Sequence, residues 1–365
     1  MARPLAAAPF RMGQDMTDVF DHPWLGGLFA DPDMGALWSA DAQLAGMRAF
    51  EAAFSRALGR AGLVDQAEPA AQAIERATFD MDDLRKGTGQ DGVVLPRLVR
   101  QMKAAAGDAA GAVHKGATSQ DVIDTATAMA MRDTLALVDR RLAQLTDSLG
   151  NLTARFGEYP LMGRTRMQAA TEITVADRIA PWVLPLSDHR ARIAQARPRI
   201  ARLQLGGASG NRRDLGDRAD AVAADMAAVL GLENPARAWH AMRDGVAEFA
   251  GILSLVTGTL GKMGQDIALM AQQGIGEIAL SGGGTSSAMA HKQNPVLAEL
   301  LVTLARFNGG QLALIHQALI HEQERSGAAW ALEWMVLPQM AQATGRALTA
   351  AITLAGQVQR IGSPG

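Results

Sequence analysis

Two stretches of this chain place apolar residues in strict steps of three and four. Met131, Leu135, Val138, Leu142, Leu145, Leu149, Leu152 and Phe156 form the first, and Val246, Phe249, Leu253, Val256, Leu260, Met263, Ile267 and Met270 the second. That spacing marks one face of an α-helix. Each run predicts a helix of roughly 35 residues, about 50 Å at 1.5 Å per residue. Helices of that length need partners with matching stripes, so a long-helix bundle follows. Gly251, Gly258, Gly261 and Gly264 lower helix propensity inside the second run, and close approach of a neighbouring helix is the expected return. A third long helix is expected from about Gly163 to Arg202, bent near Pro181 and Pro185. A fourth is expected from Pro295 to about His321, kinked at Gly309-Gly310. No alternating strand pattern stands out.

The first 115 residues differ. Breaks at Asp31-Pro32, Gly62, Gly87–Gly92 and Gly107 predict shorter helices. The expected division is an N-terminal helical domain over 1–115, a central bundle over 116–325, and a short C-terminal segment over 326–365 with one helix from about Pro338 to Arg360. The fold class is all-α. One chain is expected to leave the long stripes partly uncovered, which predicts a homo-oligomer, a tetramer built around the long helices.

Composition narrows the function. The 365 residues are 48% hydrophobic and 20% charged, with a formal net charge of −2. That balance argues against nucleic acid or a membrane surface as a partner held by bulk charge. There is no cysteine, so no disulfide or thiolate chemistry. No apolar stretch was seen that reaches the roughly 18 residues of a membrane span, and no secretory signal is evident, so a cytoplasmic place is expected.

The chemistry concentrates in five segments expected at helix ends. Gly282–Pro295 is a glycine- and hydroxyl-rich loop ending at Asn294-Pro295, a helix start with Asn as N-cap. It carries Ser286, Ser287, His291 and Lys292, and a helix N-terminus beside a lysine favours an anion. His114 to Asp121 is a second such loop, with Lys115, and with Thr118 and Ser119 as natural caps. Gly163-Arg164-Thr165-Arg166-Met167-Gln168 puts two arginines beside a threonine. Trp239 to Asp244 supplies Arg243, and His321 to Gly327 supplies Arg325. Each segment alone also reads as a linker, a well-capped helix or a surface ion pair. Together, Lys115, Arg164, Arg166, Arg243, Lys292 and Arg325 suit a small polycarboxylate, because arginine binds carboxylates in bidentate fashion. The seven histidines contain no His-x-x-x-His pair, and no nucleotide-binding fingerprint follows a strand, so neither metal nor nucleotide is expected.

Ser286-Ser287-Ala288-Met289-Ala290-His291-Lys292-Gln293-Asn294-Pro295 resembles the signature loop of the fumarase/aspartase superfamily, Ser-Ser-x-Met-Pro-x-Lys-x-Asn-Pro. Thr118-Ser119-Gln120-Asp121 and Gly163–Gln168 resemble its two substrate-binding segments. Within the superfamily, His114 to Thr125, Gln204 to Ala208, Trp239-His240 with Arg243-Asp244, and His321 to Arg325 are most similar to the bacterial 3-carboxy-cis,cis-muconate cycloisomerases. The resemblance covers roughly residues 20–335. It implies an all-helical homotetramer without a cofactor, whose active sites are each assembled from three subunits. It implies that Ser286 is the catalytic serine, and that Lys292 and Asn294 bind a substrate carboxylate and its enolate-like intermediate. Thr118, Ser119 and Arg325 would bind carboxylates. His114, His240 and His291 would take part or only cap and orient loops, the latter being the reading for His240. The implied reaction is a lactonisation in aromatic-acid catabolism. Alternatives are a fumarate-releasing lyase of the same superfamily, an enzyme for a differently substituted muconate, and a non-catalytic helical scaffold.

Three departures from the pattern matter. Ala290 stands where the signature has proline. The chain ends early, so the third helical domain of longer members looks truncated. Arg166 stands where many superfamily lyases have histidine. A lyase expelling an amine or hydroxide needs a general acid there, whereas a carboxylate nucleophile, with a pKa near about 4, needs none. The arginine instead favours a tricarboxylate.

Overall fold

The computed structural model describes residues 18–285 and 293–363. Both apolar stripes are helices. The first lies in the 38-residue helix α7, and all of it but Phe156 is buried. The second lies in α10, with every stripe residue at most 2% exposed. In chain order the helices are α1 (Gly26–Phe29), α2 (Pro32–Trp38), α3 (Ala40–Arg60), α4 (Ala67–Arg76), α5 (Met81–Asp91) and α6 (Leu95–Ala106). There follow α7 (Ser119–Phe156), α8 (Val175–Ile200), α9 (Ala219–Leu230), α10 (Asp244–Met270), α11 (Val296–Gln317) and α12 (Ala328–Gln357). Among the described residues, six short strands form three two-stranded antiparallel pairs: β1 (Pro160–Thr165) with β2 (Gln168–Thr174), β3 (Ile278–Leu280) with β6 (Val358–Ile361), and β4 (Gly284–Thr285) with β5 (Gln293–Asn294). The fold is all-α, as expected.

Helices α7, α8, α10, α11 and α12 pack around one core that holds both stripes. A second core joins α3 to α6 and α9, through Phe50, Phe54, Ile74, Leu98, Met102 and Met226. That core takes in Leu203, Leu205 and α9 from the middle of the chain as well as residues before 115. By length and hydropathy α10 is enough to cross a membrane, which the sequence reading did not anticipate. Its apolar stripe, however, packs against α8, α11 and α12 in the core.

Two of the four glycines inside the second stripe behave as expected. A Cβ on Gly261 would sit 2.5 Å from the Ala305 side chain, and one on Gly264 would sit 2.5 Å from the Ala298 carbonyl oxygen. Helix α11 therefore approaches α10 backbone to backbone. Gly251 and Gly258 have nothing within 4 Å of a Cβ.

Several expectations need correction. The expected helix from Gly163 begins at Val175, and residues 160–174 are instead the β1–β2 hairpin. Its strands hold the β-branched Thr165, Thr171, Ile173 and Thr174, which suit extended backbone. Helix α8 starts where Thr174 accepts from the Asp177 N–H at 3.1 Å and its own N–H reaches the Asp177 carboxylate at 2.9 Å, a reciprocal cap. Helix α12 starts at Ala328, and Pro338 lies inside it. Pro295, not Asn294, occupies the N-cap position of α11, with no side-chain cap bond, and Asn294 is paired to Gly284 in the β4–β5 strand pair. Nor are the stripes left bare in one chain. The exposed apolar residues lie on other faces: Leu184 at 67%, Leu255 at 51%, Leu314 at 42% and Met335 at 67%.

The glycine contacts give a direct test. Gly264→Ala is expected to destabilise by roughly 1–3 kcal/mol through overpacking. Gly258→Ala is expected to be neutral or to gain up to about 1 kcal/mol from helix propensity. Urea unfolding of the two variants checks the contrast.

Candidate active site

The start of α7 is built around one carboxylate. Thr118, with φ −124°, is the N-cap, and Ser119 opens the helix. Asp121 reaches back to accept from the Thr118 N–H at 3.0 Å. It does more than cap. Wholly buried, it also accepts from the N–H groups of Gly206 at 2.8 Å and Gly207 at 2.9 Å, and it bonds His240 Nε2 at 2.7 Å. The loop after Leu205 is thereby fixed onto the helix start. Gly206 and Gly207 are needed there: a Cβ would lie 2.8 Å from His240 Cε1 in one case and 2.8 Å from the Gly116 carbonyl in the other. His240 is tied to this loop through its Nε2 bond to Asp121, and its Nδ1 is buried without a partner among the described residues.

Arg325 closes over the same turn. Its Nε donates to Gln120 Oε1 at 3.0 Å, Nη1 to Thr118 Oγ1 at 3.1 Å, and Nη2 to the carbonyls of Ala208 at 3.2 Å and Gly207 at 3.4 Å. Every one of these acceptors is neutral. Among the described residues Arg325 makes no ion pair, so an exposed side chain carries an unneutralised charge beside a helix N-terminus. Lys115 lies in the loop just before, its ammonium on the Leu63 carbonyl at 2.9 Å. His114, in the same loop, bonds Glu51 Oε1 through Nδ1 at 2.5 Å. Such an assembly attracts a carboxylate.

Arg243 is placed differently from its expected role in substrate binding. Its side chain is 1% exposed. It donates to Asp124 at 2.7 and 3.2 Å and to Glu333 at 2.8 and 2.5 Å, and it stacks 4.6 Å from the Trp239 ring centroid. Two carboxylates offset its charge, and with a fifth, longer bond to the Trp239 carbonyl at 3.5 Å no donor is left for a ligand. Asp124 also accepts from Gln120, Gln204 and the Trp330 indole. Burial and Arg243 turn these residues into an internal support for the α7 turn. Asp121, Asp124, Glu333 and Trp330 were not named as site residues from sequence. The signal for Asp121 and Asp124 was their three-residue spacing, which puts both on one face of the helix start.

The remaining candidates lie elsewhere. Thr165 and Gln168 pair across the hairpin, and Arg166 and Met167 form its turn with φ 49° and 67°. Arg164 pairs with Glu277 at 2.9 Å. Gly284–Thr285 and Gln293–Asn294 close the base of the signature segment. Ser286, Ser287, His291 and Lys292 lie outside the described residues. The hairpin follows the C-terminus of α7, and Thr118 precedes its N-terminus. The helix has 38 residues, about 57 Å at 1.5 Å per residue. Within one chain, then, the Thr118–Arg325 cradle and the Arg164–Gln168 hairpin stand at opposite ends of the bundle.

A family model described as Lyase matches residues 36–307. The 3-carboxy-cis,cis-muconate cycloisomerase of Pseudomonas aeruginosa is 38% identical over 348 residues, covering 93% of this chain and 76% of that protein. The N-acetyl-S-(2-succino)cysteine lyase of Enterococcus italicus is 31% identical over 327 residues, covering 88% and 72%. The crystal structure of the 3-carboxy-cis,cis-muconate lactonizing enzyme from Pseudomonas putida matches with a TM-score of 0.87 at 36% identity, covering 93% of this chain and 77% of that one. The chain belongs to this lyase family, the fumarase/aspartase superfamily of the sequence resemblance.

Arg243→Met leaves Asp124 and Glu333 buried without their cation, and is expected to cost about 3–5 kcal/mol. A large fall in melting temperature, with the variant's secondary structure retained at low temperature, checks the supporting role.

Proposed function

We propose that this chain is a cofactor-independent cycloisomerase that converts 3-carboxy-cis,cis-muconate to a carboxymuconolactone, acting as a homotetramer with shared active sites. The observation that carries the reading is Arg325. Its guanidinium is held by neutral oxygens at the N-terminus of α7, so its charge is left for a substrate carboxylate. Thr118, Ser119 and Lys115 complete that subsite. The activity named for the Pseudomonas aeruginosa and Pseudomonas putida relatives supplies the substrate. The length of α7 supplies the reason for sharing: a hairpin from another copy has to bring Arg164, Thr165, Arg166 and Gln168 to this cradle. Leu184, Leu255, Leu314 and Met335 offer apolar surface for that assembly.

In this reading one substrate carboxylate oxygen bonds to an alkene carbon. The π electrons move to the neighbouring carbon and on into its carboxylate. Lys292, Asn294 and a helix N-terminus stabilise that charge. Ser286 delivers a proton to the carbon, and solvent restores the serine. The nucleophile is already a carboxylate, so no acid is needed for a leaving group, and Arg166 serves as a further carboxylate ligand.

A second reading, release of fumarate from a succinyl adduct, draws on the Enterococcus italicus relative. Arg166 in place of histidine weighs against it.

Incubating the purified protein with 3-carboxy-cis,cis-muconate and no added cofactor is expected to bleach the conjugated diene in the ultraviolet. A folded protein that leaves the diene intact and releases fumarate from a succinyl adduct would move the assignment to the second reading. Ser286→Ala is expected to lower turnover roughly 10²–10⁴-fold. Light scattering at micromolar concentration is expected to give four chains, and a monomer there would sink the shared-site proposal.

A further inference from the structure

One buried acid near the cradle has no role in the reaction as written. Glu51, on α3, is wholly buried. Its Oε1 lies 2.5 Å from His114 Nδ1, and its Oε2 is buried without a partner. Ser55, one turn further on, does not help, since its hydroxyl goes to the Ala112 carbonyl. His114 is thus the one described partner of a fully desolvated carboxylate, an arrangement that is costly unless the partner is a cation.

The histidine is held in place against its backbone preference. Its φ is 59°, in the left-handed region that non-glycine residues seldom occupy. Such strain persists where surrounding contacts over-determine it. Here they are the Glu51 bond on one side and the tight passage of Gly116 against the Gly207 backbone on the other. The side chain remains 17% exposed, and Nε2 makes no hydrogen bond among the described residues. Four residues later the loop reaches Thr118 and the Arg325 cradle. The charged groups that act on the ring are Glu51 on α3, Asp121 on α7 and Lys103 on α6. Burial works against the imidazolium and Lys103 adds a smaller opposing effect. Glu51, helped by Asp121, outweighs both and holds the pKa above its ordinary value.

We propose that Glu51 is a positioning residue for the active site: by engaging Nδ1 it fixes His114 as a charged donor whose free Nε2–H binds a substrate carboxylate beside Thr118 and Arg325. This rests on the carboxylate-cradle reading above. It adds a cation that is titratable, unlike Arg325, and so gives substrate affinity an upper pH limit. The pKa is raised, so the cation is fully present below the ordinary histidine range and is lost as pH rises through the folded-state value. Glu51→Gln keeps the side-chain shape but removes the opposing charge. Burial then dominates, and His114 loses its proton at lower pH.

The test uses the full-length assembled protein and benzene-1,3,5-tricarboxylate, an unreactive probe ionised from about pH 6 to 9. Calorimetry should show wild-type affinity held at acid pH and lost as pH rises beyond the ordinary histidine range. In Glu51→Gln the loss should shift to lower pH, with the gap between the two proteins narrowing towards acid pH. His114→Gln should show a weak and flat profile, and adding Glu51→Gln to it should change nothing further. A purely structural role for Glu51 would weaken binding at every pH and add to the His114→Gln effect, and that result overturns the proposal. So does a wild-type pH profile in His114→Gln, which holds even if Glu51→Gln fails to fold. Absence of tricarboxylate binding by the wild type would instead bring down the cradle reading itself.

Discussion

The carboxylate of Asp121 is the contact on which the α7 end of the bundle depends. Removed from water, it is stable because four donors from three parts of the chain converge on it: Thr118, the Gly206-Gly207 backbone and His240. A buried acid so surrounded couples those parts, since none can leave without stranding the charge. Thr118 and Ser119, half-buried at the start of α7, are therefore held on a support that cannot drift. Asp124, one turn further, repeats the arrangement with Gln120, Gln204, Trp330 and Arg243. Two successive buried acids on one helix face make the start of α7 a rigid platform.

Charge balance separates two arginines that look alike in sequence. Arg243 meets two carboxylates, and its attraction is spent inside the protein. Arg325 meets only amide and hydroxyl oxygens, which hold its plane in position and leave its field intact. Both sit at the same helix end, and the partners decide which one a ligand can feel. Position next to a site is thus a poor guide to function where an arginine's counter-charges are unknown.

The long helices were legible because burial on one face writes a 3.6-residue period into the chain, and Met131–Phe156 and Val246–Met270 show it with little interruption. The hairpin was not, because a two-residue turn through Arg166 and Met167 lacks the glycine or asparagine that usually marks one. The start of α12 is not legible because a proline usually marks a helix beginning, whereas Pro338 lies inside the helix. The cationic segments stand out in the sequence, yet their grouping depends on where helix ends fall in space. Residue spacing along a chain does not say that Thr118 and Arg164 sit at opposite poles. Glu51 carried no local mark at all. It lies mid-helix among apolar neighbours, and only its burial beside His114 reveals it.

Helix α7 also acts as a ruler, and this bears on which changes in length the chain can accept. Inserting one residue anywhere between Ser119 and Phe156 would move everything beyond it by about 1.5 Å and turn it by about 100°. The buried stripe would rotate towards solvent, and the hairpin would shift relative to the Thr118 end of the helix. Whole-turn insertions would restore the facing but not the span. Surface turns such as the one around Gly274, exposed and with nothing within 4 Å of a Cβ, are under no such restriction. Tolerance of insertion and deletion should therefore be sharply uneven along this chain, lowest where the sequence looks most repetitive.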